Sequence, residues 1–446
     1  MLPRIVSSPS RRGRLSLFHP PQGCPHTLSP RSADEKGSLS GPASTASLTA
    51  TSSPASRSGR SARQATALAL PAALALVLAA CGSSTSAASS GATAPGVTST
   101  TILFGQTVPK TGPAALYGES TDGIQAYFDY VNAHGGVHGH KLKLISLNDQ
   151  YEPPVALQDT KTLVNSYKVF AEVGVNGTAA TEANITVLGP NNVPLIGPQT
   201  GATVFSGTLR KYLYNVWPSY LTEGKLLGTF AQSQHISKVG VLYQDDDFGK
   251  SLLQGVKNAG LSPAVSISYD PTQTDFSAQA AQFKAAHVGA VIILAIPGPT
   301  TDFLNAMNAI NFRPVRIMSQ VSAIPQMTQT APQEFPGSYT GAFIPSLTGT
   351  VTAPVQAFLS GMTAYQPGKP TSVFAAWGWT EAEVAVAGLK AIKGPITRDS
   401  YEVALDTLTN LQTMGGTISY SGSSHSGISH MFIVKQEGPN RMPVTS

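Results

Sequence analysis

The chain has 446 residues, which is long enough for two or three domains that each bury a hydrophobic core. Its formal net charge is +5, but residues 1–64 contain nine basic and only two acidic side chains, so the rest of the chain is slightly acidic. This uneven distribution disfavours nucleic-acid binding by the folded part.

The N-terminal region lacks the hydrophobic periodicity of a folded domain. Residues 1–64 are rich in Ser, Arg, Pro and Ala, and we interpret them as a disordered leader or as a wrongly assigned start upstream of the true one. The apolar run at 65–80 follows Arg60 and Arg63 and is shorter than the ~20 residues that span a bilayer. This pattern predicts the h-region of a cleaved secretory signal, with an uncleaved anchor helix as the alternative.

The apolar run ends in Leu78-Ala79-Ala80-Cys81, which resembles a bacterial lipobox. The resemblance implies that the Cys81 thiol receives a diacylglyceryl group, becomes the new N-terminus and holds the protein at a membrane surface. Residues 81–96 are then a flexible Ser/Ala/Gly tether, and the folded part begins near Val97. Cys24, the only other cysteine, lies in the leader, so we expect no disulfide and no Cys-ligated metal in the mature protein.

Strand-like and helix-like patterns alternate from the tether onwards. The predicted elements of the first half are strand 101–106, helix 117–134, strand 141–147, helix 155–166, strand 169–175, helix 179–191 and strand 193–197. After Trp217-Pro218 the alternation restarts with helix 221–234, strand 238–244, helix 248–259, strand 264–269, helix 276–286, strand 290–296 and helix 300–310.

The predicted strands are apolar along most of their length and are separated by helices, which favours parallel sheets covered on both faces. The restart after Pro218 predicts two such sheets rather than one. In open α/β sheets, ligands bind beyond the carboxyl ends of the strands, so the loops at those ends are where binding residues are expected.

Three histidines lie close together in the stretch YFDYVNAHGGVHGHKLKL, at His134, His138 and His140. They could form a zinc site, or they could belong to a helix end and the turn that follows it. Gly135 and Gly136 suit the left-handed end of a helix and a tight turn, and no carboxylate or cysteine completes a known zinc spacing. We therefore predict a surface turn and no metal site.

Several stretches, in their order and spacing, resemble one family over residues 101–434. They are GPAALYG, VNAHGGVHGHKLKLISLNDQYEPPVAL, VGVNGTAATEANITVLGPNNVPLIGP, VGVLYQDDDFGKSL, TDFSAQAAQFKAAHVGAVIIL and GGTISYSGSSHSGISHMFIV. They resemble the solute-binding proteins of branched-chain amino-acid-type ABC transporters, a Leu/Ile/Val-binding-like group of the type I periplasmic-binding proteins. The resemblance implies an α/β fold with two doubly wound parallel-sheet lobes, joined by three hinge strands, and a ligand in the cleft between them. Lobe 1 is expected at 97–217 and 344–420, and lobe 2 at 218–343 and 421–446.

Two candidate ligand-binding residues lie near the starts of predicted helices. Thr178 could combine its hydroxyl with the first free N–H groups of a helix to form a seat for an anion, and a plain helix cap is the alternative. Tyr117 lies where the resemblance implies an aromatic wall against the ligand, and simple packing at the helix start is its alternative.

The resemblance also implies candidates in two further loops. Gln199, Thr200 and Gly201 follow a predicted strand and offer an amide, a hydroxyl and bare backbone for a ligand carboxylate. Phe248 lies where related proteins place an aromatic ring of the second lobe over the ligand.

The sequence departs from the family in the loop IMSQVSA, where amino-acid-binding members have an acidic residue that pairs with the ligand ammonium. Here the loop offers the uncharged Gln320, and the preceding LAIPGPT lacks the tyrosine that such members use. Because an unpaired buried ammonium costs on the order of several kcal/mol, we hypothesise that the ligand is an organic acid, an amide or another small polar molecule rather than an α-amino acid. Glu119 or the acidic residues 245–247 could instead supply the charge, although acids at 245–247 also suit a helix start.

The chain lacks the G-x-S-x-G, GxxxxGK[ST] and H-E-x-x-H signatures, so we predict a binding protein and not an enzyme, with no cofactor. The leading hypothesis is a monomeric receptor, lipid-anchored outside the bacterial cell membrane, that closes on a solute and delivers it to an ABC permease and its ATPase. A sensor that presents its closed state to a signalling protein is the alternative.

Overall fold

The computed structural model describes residues 94–206, 209–322, 327–437 and 440–444. The predicted leader, the apolar run and Cys81 lie outside the described residues, as does most of the predicted tether. Of the helices that the structure describes, none combines the length and the apolar character needed to cross a membrane.

The first half of the described chain builds a five-stranded, wholly parallel sheet. Its elements are β1 (Thr101–Val108), α1 (Glu119–Ala133), β2 (Lys141–Asn148), α2 (Pro153–Thr162), β3 (Ala171–Val173), α3 (Thr178–Leu188), β4 (Leu195–Ile196), α4 (Thr203–Ser206) and β5 (Leu213–Tyr214). The strand order is β2-β1-β3-β4-β5. The core strands are almost completely buried, since helices cover both faces of the sheet.

The second half repeats this arrangement. Its elements are α5 (Tyr220–Ser233), β6 (Val239–Gln244), α6 (Asp247–Asn258), β7 (Val265–Tyr269), α7 (Ser277–Ala285), β8 (Ala290–Leu294), α8 (Pro297–Ala309), β9 (Val315–Met318), α9 (Met327–Thr330) and β10 (Tyr339–Ala342). These strands are parallel in the order β7-β6-β8-β9-β10. Counted from the first strand of each sheet, this is the same order as in the first sheet. The predicted α/β fold with two parallel sheets is therefore confirmed.

The last part of the chain packs helices against the first sheet and adds strands to the second. Its elements are α10 (Ala353–Tyr365), α11 (Val373–Ala391), α12 (Arg398–Leu405), β11 (Leu411–Thr413), β12 (Gly416–Ile418), β13 (Phe432–Glu437) and β14 (Asn440–Pro443). Helix α11 packs against α1, β3 and β4 of the first sheet, whereas β13 pairs antiparallel with β10 and extends the second sheet. The body around the first sheet, including α10–α12, is called lobe 1 below, and the body around the second sheet is called lobe 2.

The chain passes between the lobes three times, at 215–219, 343–352 and 419–431. The first and third crossing segments run side by side, since Asn215 N donates to His425 O at 3.0 Å and Ile428 N donates to Val216 O at 2.9 Å. Neither segment forms a regular strand, so the hinge strands expected from the sequence are two short hydrogen-bonded stretches and a third irregular connection.

The contact of α1 with α11 requires glycine on both helices. A β-carbon at Gly123 would lie 1.8 Å from Ala375 O, and one at Gly378 would lie 2.0 Å from Ser120 O. Helix α11 is apolar and buried around most of its circumference, which is typical of a helix in the centre of a large domain. The two glycines thus let the backbones touch and bring α11 directly behind the first sheet.

We predict that Gly123→Ala lowers the free energy of unfolding by more than about 2 kcal/mol, because the added methyl group overlaps a main-chain carbonyl that cannot move aside. Alanine is otherwise favoured over glycine in a helix by about 1 kcal/mol, so the sign of the change separates the clash from helix propensity. Urea denaturation measures it. An unchanged or higher unfolding midpoint would contradict the close packing of α1 on α11.

Candidate functional site

The carboxyl ends of the two sheets face each other across a small cavity between the lobes. Eleven residues line it: Tyr117, Tyr151, Asn176, Gly177, Thr178, Gln199, Trp217, Tyr220, Phe248, Ile296 and Val321. None of them is charged, and five carry aromatic rings. The enclosed space is about 10 Å³, roughly what one water molecule occupies.

Side-chain hydrogen bonds join the lobes at this cavity. The Tyr117 hydroxyl of lobe 1 donates to the main-chain oxygen of Val321 in lobe 2 at 3.0 Å. Gln244 Nε2 of lobe 2 donates to the Tyr151 hydroxyl of lobe 1 at 3.4 Å. The cleft is therefore closed, and a solute can enter only if the lobes separate.

Tyr151 reaches the cavity from a strained turn at the end of β2. Gln150 and Tyr151 have φ values of 58° and 67°, which side chains other than glycine rarely adopt. Asp149 stabilises the turn, because its Oδ1 accepts a hydrogen bond from Tyr151 N at 2.9 Å. Burial raises the pKa of Asp149 to about 7.

The N-terminus of α3 points at the cavity through Gly177 and Thr178. Gly177, with φ 93°, is the residue at which the chain enters the helix. No side chain caps the N-terminus of α3. The Thr178 hydroxyl lies 2.8 Å from the Thr200 hydroxyl instead. The first N–H groups of α3 and the positive end of its dipole are consequently available to a negatively charged group.

A chain of hydrogen bonds connects the cavity wall to a buried carboxyl group on α11. Trp217 Nε1 donates to Glu381 Oε1 at 3.0 Å, and Gln199 Nε2 donates to Glu381 Oε2 at 3.0 Å. Asn176 Nδ2 in turn donates to Gln199 Oε1 at 2.8 Å. Because both Glu381 oxygens act as acceptors, the amides of Gln199 and Asn176 are held in one orientation, and Asn176 Oδ1 is left buried and unpaired beside the cavity.

Glu381 is completely buried, and burial raises its pKa well above the usual range, although the hydrogen bonds from Gln199 and Trp217 act in the opposite direction. A β-carbon at Gly174 would approach Glu381 Oε2 to 2.6 Å. The carboxyl group is thus enclosed between the loops after β3 and β4 and is a positioning group for the cavity wall.

The structure brings four of the candidates from the sequence together: Tyr117, Thr178, Gln199 and Phe248 all line the cavity. Phe248 packs edge-on against Tyr220, with ring centroids 5.2 Å apart. That these residues bind a ligand stays a prediction.

The structure does not place three other candidates on the cavity wall. Thr200 and Gly201 lie next to it and line a separate groove of about 350 Å³ beside the crossing segments. Gln320 is turned away, since its main-chain N and its Nε2 donate to Glu223 at 2.7 and 3.3 Å. The physical reason is that the buried Glu223 needs donors, and Val321 takes the place beside the cavity.

Glu223 lies beneath the loop IMSQVSA, which lacks the acidic residue that faces the ligand in amino-acid-binding members of the family. The Ser319 hydroxyl donates to Glu223 Oε1 at 2.7 Å. Burial raises the pKa of Glu223 to about 7, against the effect of the donors from Ser319 and Gln320. The carboxyl group therefore holds the loop in place and does not reach the cavity.

The other acidic candidates also stay outside the cavity lining. Asp246 caps α6 by accepting from Gly249 N at 3.1 Å, and Asp245 pairs with Lys250 at 2.9 Å. Glu119 is the first residue of α1 and does not line the cavity. The positions at 245–247 thus act at a helix start, as acids do near the positive end of the dipole.

The three clustered histidines do not face one another. His134 Nδ1 lies 2.8 Å from Tyr130 O, His138 Nε2 lies 2.9 Å from Leu389 O, and His140 Nδ1 lies 3.0 Å from His138 O. Within the ranges that the structure describes, no group of three or more His, Cys, Asp or Glu side chains is arranged to hold a metal ion.

Seven lining residues were not predicted from the sequence: Tyr151, Asn176, Gly177, Trp217, Tyr220, Ile296 and Val321. Asn176 lies two residues before the predicted Thr178 and follows a strand, so its position in the sequence was enough to identify it as a candidate. Trp217 lies in a crossing segment, and only the pairing of the two lobes turns it towards the cavity.

We predict that Glu381→Gln weakens the dependence of stability on pH. A carboxyl group with a raised pKa in the folded state stabilises the fold below its ordinary pKa of 4.5, and this contribution is lost as the pH rises through the folded value. The loss of unfolding free energy from about pH 5 to about pH 8 should therefore be smaller in the variant than in the wild type.

The measurement is urea denaturation at both pH values, with Glu152→Gln, which removes an exposed carboxyl group, as the matched control. Equal pH dependence in wild type and Glu381→Gln would show that this carboxyl group is not perturbed by burial.

One known protein family matches most of the described chain. A family model described as periplasmic binding protein matches residues 101–440. Among curated proteins, a Leu/Ile/Val-binding protein homolog from Brucella suis is 24% identical over 231 residues, which cover 49% of this chain and 58% of that protein. The alignment thus spans somewhat more than half of that relative's length.

Solved structures share the fold at low sequence identity. A possible leucine/isoleucine/valine-binding protein from Rhodopirellula baltica superposes with a TM-score of 0.73 at 22% identity, covering 78% of this chain and 96% of that chain. A solute-binding protein of an ABC transporter from R. palustris, in complex with benzoate, gives a TM-score of 0.70 at 19% identity, covering 77% of this chain and 95% of that one.

These matches confirm the predicted resemblance and agree with the prediction of a binding protein rather than an enzyme. From the repeated strand order, the closed cleft and the family match over residues 101–440, we conclude that this chain belongs to the periplasmic binding protein family.

Proposed function

We propose that the protein is an extracytoplasmic receptor that captures a small solute between its lobes and delivers it to an ABC importer of the branched-chain amino-acid type. The observation that carries this proposal is the cavity at the carboxyl ends of two like sheets, with direct hydrogen bonds between the lobes at its rim. A ligand held there contacts both lobes and so favours the closed form, which a permease can recognise. In the sensor alternative, the same closed form would bind a signalling receptor.

The cavity lining favours a carboxylate with a flat or apolar body over an α-amino acid. The uncapped N-terminus of α3 and the Thr178 hydroxyl offer donors and positive potential to a carboxylate. No lining residue carries a negative charge that could pair with an ammonium group, and a desolvated ammonium without a partner is strongly disfavoured.

The remaining lining supports the same ligand class. The rings of Tyr117, Tyr151, Trp217, Tyr220 and Phe248 offer large flat surfaces for an apolar body. The unpaired Asn176 Oδ1 can accept a hydrogen bond from one donor group on the ligand, such as a hydroxyl or an amide N–H. The benzoate complex of the protein from R. palustris, on the same fold, agrees with a small aromatic acid as one member of this class.

We predict that purified protein binds small aromatic or branched aliphatic carboxylates and gives no saturable heat signal with leucine, isoleucine or valine. Isothermal titration calorimetry measures both, after native mass spectrometry has shown whether a small molecule is already bound. Thr178→Val should weaken carboxylate binding by about tenfold, since one hydrogen bond to a charged group is lost.

Thr186→Val is the matched control, because Thr186 lies on the same helix but is exposed and does not line the cavity. Micromolar binding of leucine, isoleucine or valine would overturn the ligand class while leaving the receptor function in place.

We also propose that a lipid on Cys81 anchors the receptor to the outer face of the cell membrane. The support is the sequence alone, in which the apolar run at 65–80 ends at the lipobox-like Leu78-Ala79-Ala80-Cys81.

Expression of the whole chain in a bacterial host with labelled palmitate should yield a labelled membrane-bound protein, and Cys81→Ser should abolish both the label and the membrane fraction. Cys24→Ser is the matched control, since Cys24 lies in the leader and its replacement should change neither. Unlabelled wild-type protein would contradict the anchor.

A further inference from the structure

Lobe 1 carries a further cavity, which shares no lining residue with the cleft. It is a groove of about 440 Å³ between α1, α10 and α11. We call it the aromatic groove, and it is lined by Tyr127, Tyr130, Ala357, Ser360, Gly361, Ala364, Tyr365, Trp379 and Glu383. It is much larger than the space left in the closed cleft.

Four aromatic rings surround the groove. Trp379 is buried at its base and packs edge-on against Tyr127, with ring centroids 4.9 Å apart. Tyr130 is 42% exposed. Its ring centroid lies 6.2 Å from that of Tyr365 and 6.4 Å from that of Trp379. A β-carbon at Gly361 would lie 2.4 Å from the indole, so glycine is what leaves room for Trp379 at this position.

A carboxyl group lies among these rings without a basic partner. Glu383 accepts hydrogen bonds from Trp379 Nε1 at 3.0 Å and from Met414 N at 2.9 Å, both of them uncharged donors. None of the ion pairs between described residues includes Glu383. Burial raises the pKa of Glu383 to about 7, which means that the site disfavours an isolated negative charge and gains from a nearby positive one.

A second carboxyl group next to the groove is also paired with uncharged donors only. Asp129, on α1 between Tyr127 and Tyr130, accepts from Gln125 Nε2 at 2.9 Å and from Gln366 Nε2 at 3.2 Å. Two carboxyl groups without a basic partner therefore lie at or near the aromatic groove, while the surface of the groove is made largely of aromatic faces.

We propose that the aromatic groove binds a small organic cation of the methylated or quaternary ammonium class. The faces of tyrosine and tryptophan rings attract such cations, and the attraction strengthens where water is displaced. Glu383 supplies the compensating charge. Its two oxygens already accept hydrogen bonds, so a methylated ammonium, which needs few or no acceptors, fits better than a primary one with three N–H groups to satisfy.

The test is calorimetric titration of the purified protein with choline and with the neutral analogue in which carbon replaces the nitrogen. The two probes have the same shape, so their difference reports the charge. Choline should bind saturably and at least about tenfold more tightly than the neutral analogue. Equal binding of both probes, or no saturable choline binding up to about 50 mM, would overturn the proposal.

Variants of the exposed Tyr130 locate the site without disturbing the core. Tyr130→Ala should weaken choline binding by about fivefold or more, and Tyr130→Phe should retain it, because the ring and not the hydroxyl attracts the cation. Tyr167→Ala is the matched control, since Tyr167 is 47% exposed and does not line the groove. Equal losses in Tyr130→Ala and Tyr167→Ala would place any binding elsewhere.

Glu383→Gln separates charge from shape. It should lower choline affinity by about tenfold and leave the affinity for the neutral analogue unchanged. Equal choline affinity in Glu383→Gln and in the wild type would show that Glu383 is not part of the site and would contradict the proposal. None of these titrations depends on the solute bound in the cleft, so they test the groove independently of the transport function.

Discussion

The cleft depends on one buried carboxyl group, that of Glu381, which the last part of the chain supplies. Helix α11 belongs to lobe 1 although it follows the whole of the second sheet in sequence, and its approach to α1 is possible only because glycine occupies the contact. It carries Glu381 to a point behind the first sheet, where Trp217 of a crossing segment and Gln199 of a cleft loop donate to it. A carboxyl group that is buried without donors is strongly unfavourable, so the two donors and the acceptor hold one another in place. The residues of lobe 1 that line the cavity are therefore held in place by a carboxyl group that does not itself line it.

Lobe 2 also has a buried carboxyl group on a helix that accepts hydrogen bonds from a loop near the cavity. Glu223 on α5 is buried and accepts from Ser319 and Gln320, which fixes the loop after β9 in the way that Glu381 fixes the loop after β4. Each lobe thus keeps a carboxyl group one layer behind the cavity and presents only neutral groups to it. The loop IMSQVSA contains no acid of its own, and the carboxyl group beneath it accepts hydrogen bonds from the loop rather than from a ligand.

The fold could be predicted from the sequence because hydrophobic periodicity and the apolar strands are local properties, and the two halves repeat them in the same strand order. Residues at strand ends, such as Thr178, could be placed near the cleft for the same reason. What the sequence could not supply were contacts between distant segments. The orientation of Gln320 depends on Glu223, about a hundred residues earlier, and the strained turn at Tyr151 is visible only in its dihedral angles. Nothing in the spacing of Tyr127, Trp379 and Glu383 indicates a common groove until α1 and α11 are packed together.

The closed cleft constrains how a ligand can act. The free space of about 10 Å³ is roughly that of one water molecule, so a solute has to displace contacts between the lobes to occupy the cavity. The Tyr117 hydroxyl bonds directly to Val321 of the other lobe, and that bond occupies an acceptor at the cavity. A ligand shifts the balance towards a closed form only by the contacts that it makes in excess of those it displaces. A solute that spans from the N-terminus of α3 to the rings of lobe 2 replaces one hydrogen bond with contacts to both lobes. A smaller one that touches lobe 1 alone would gain nothing from closure.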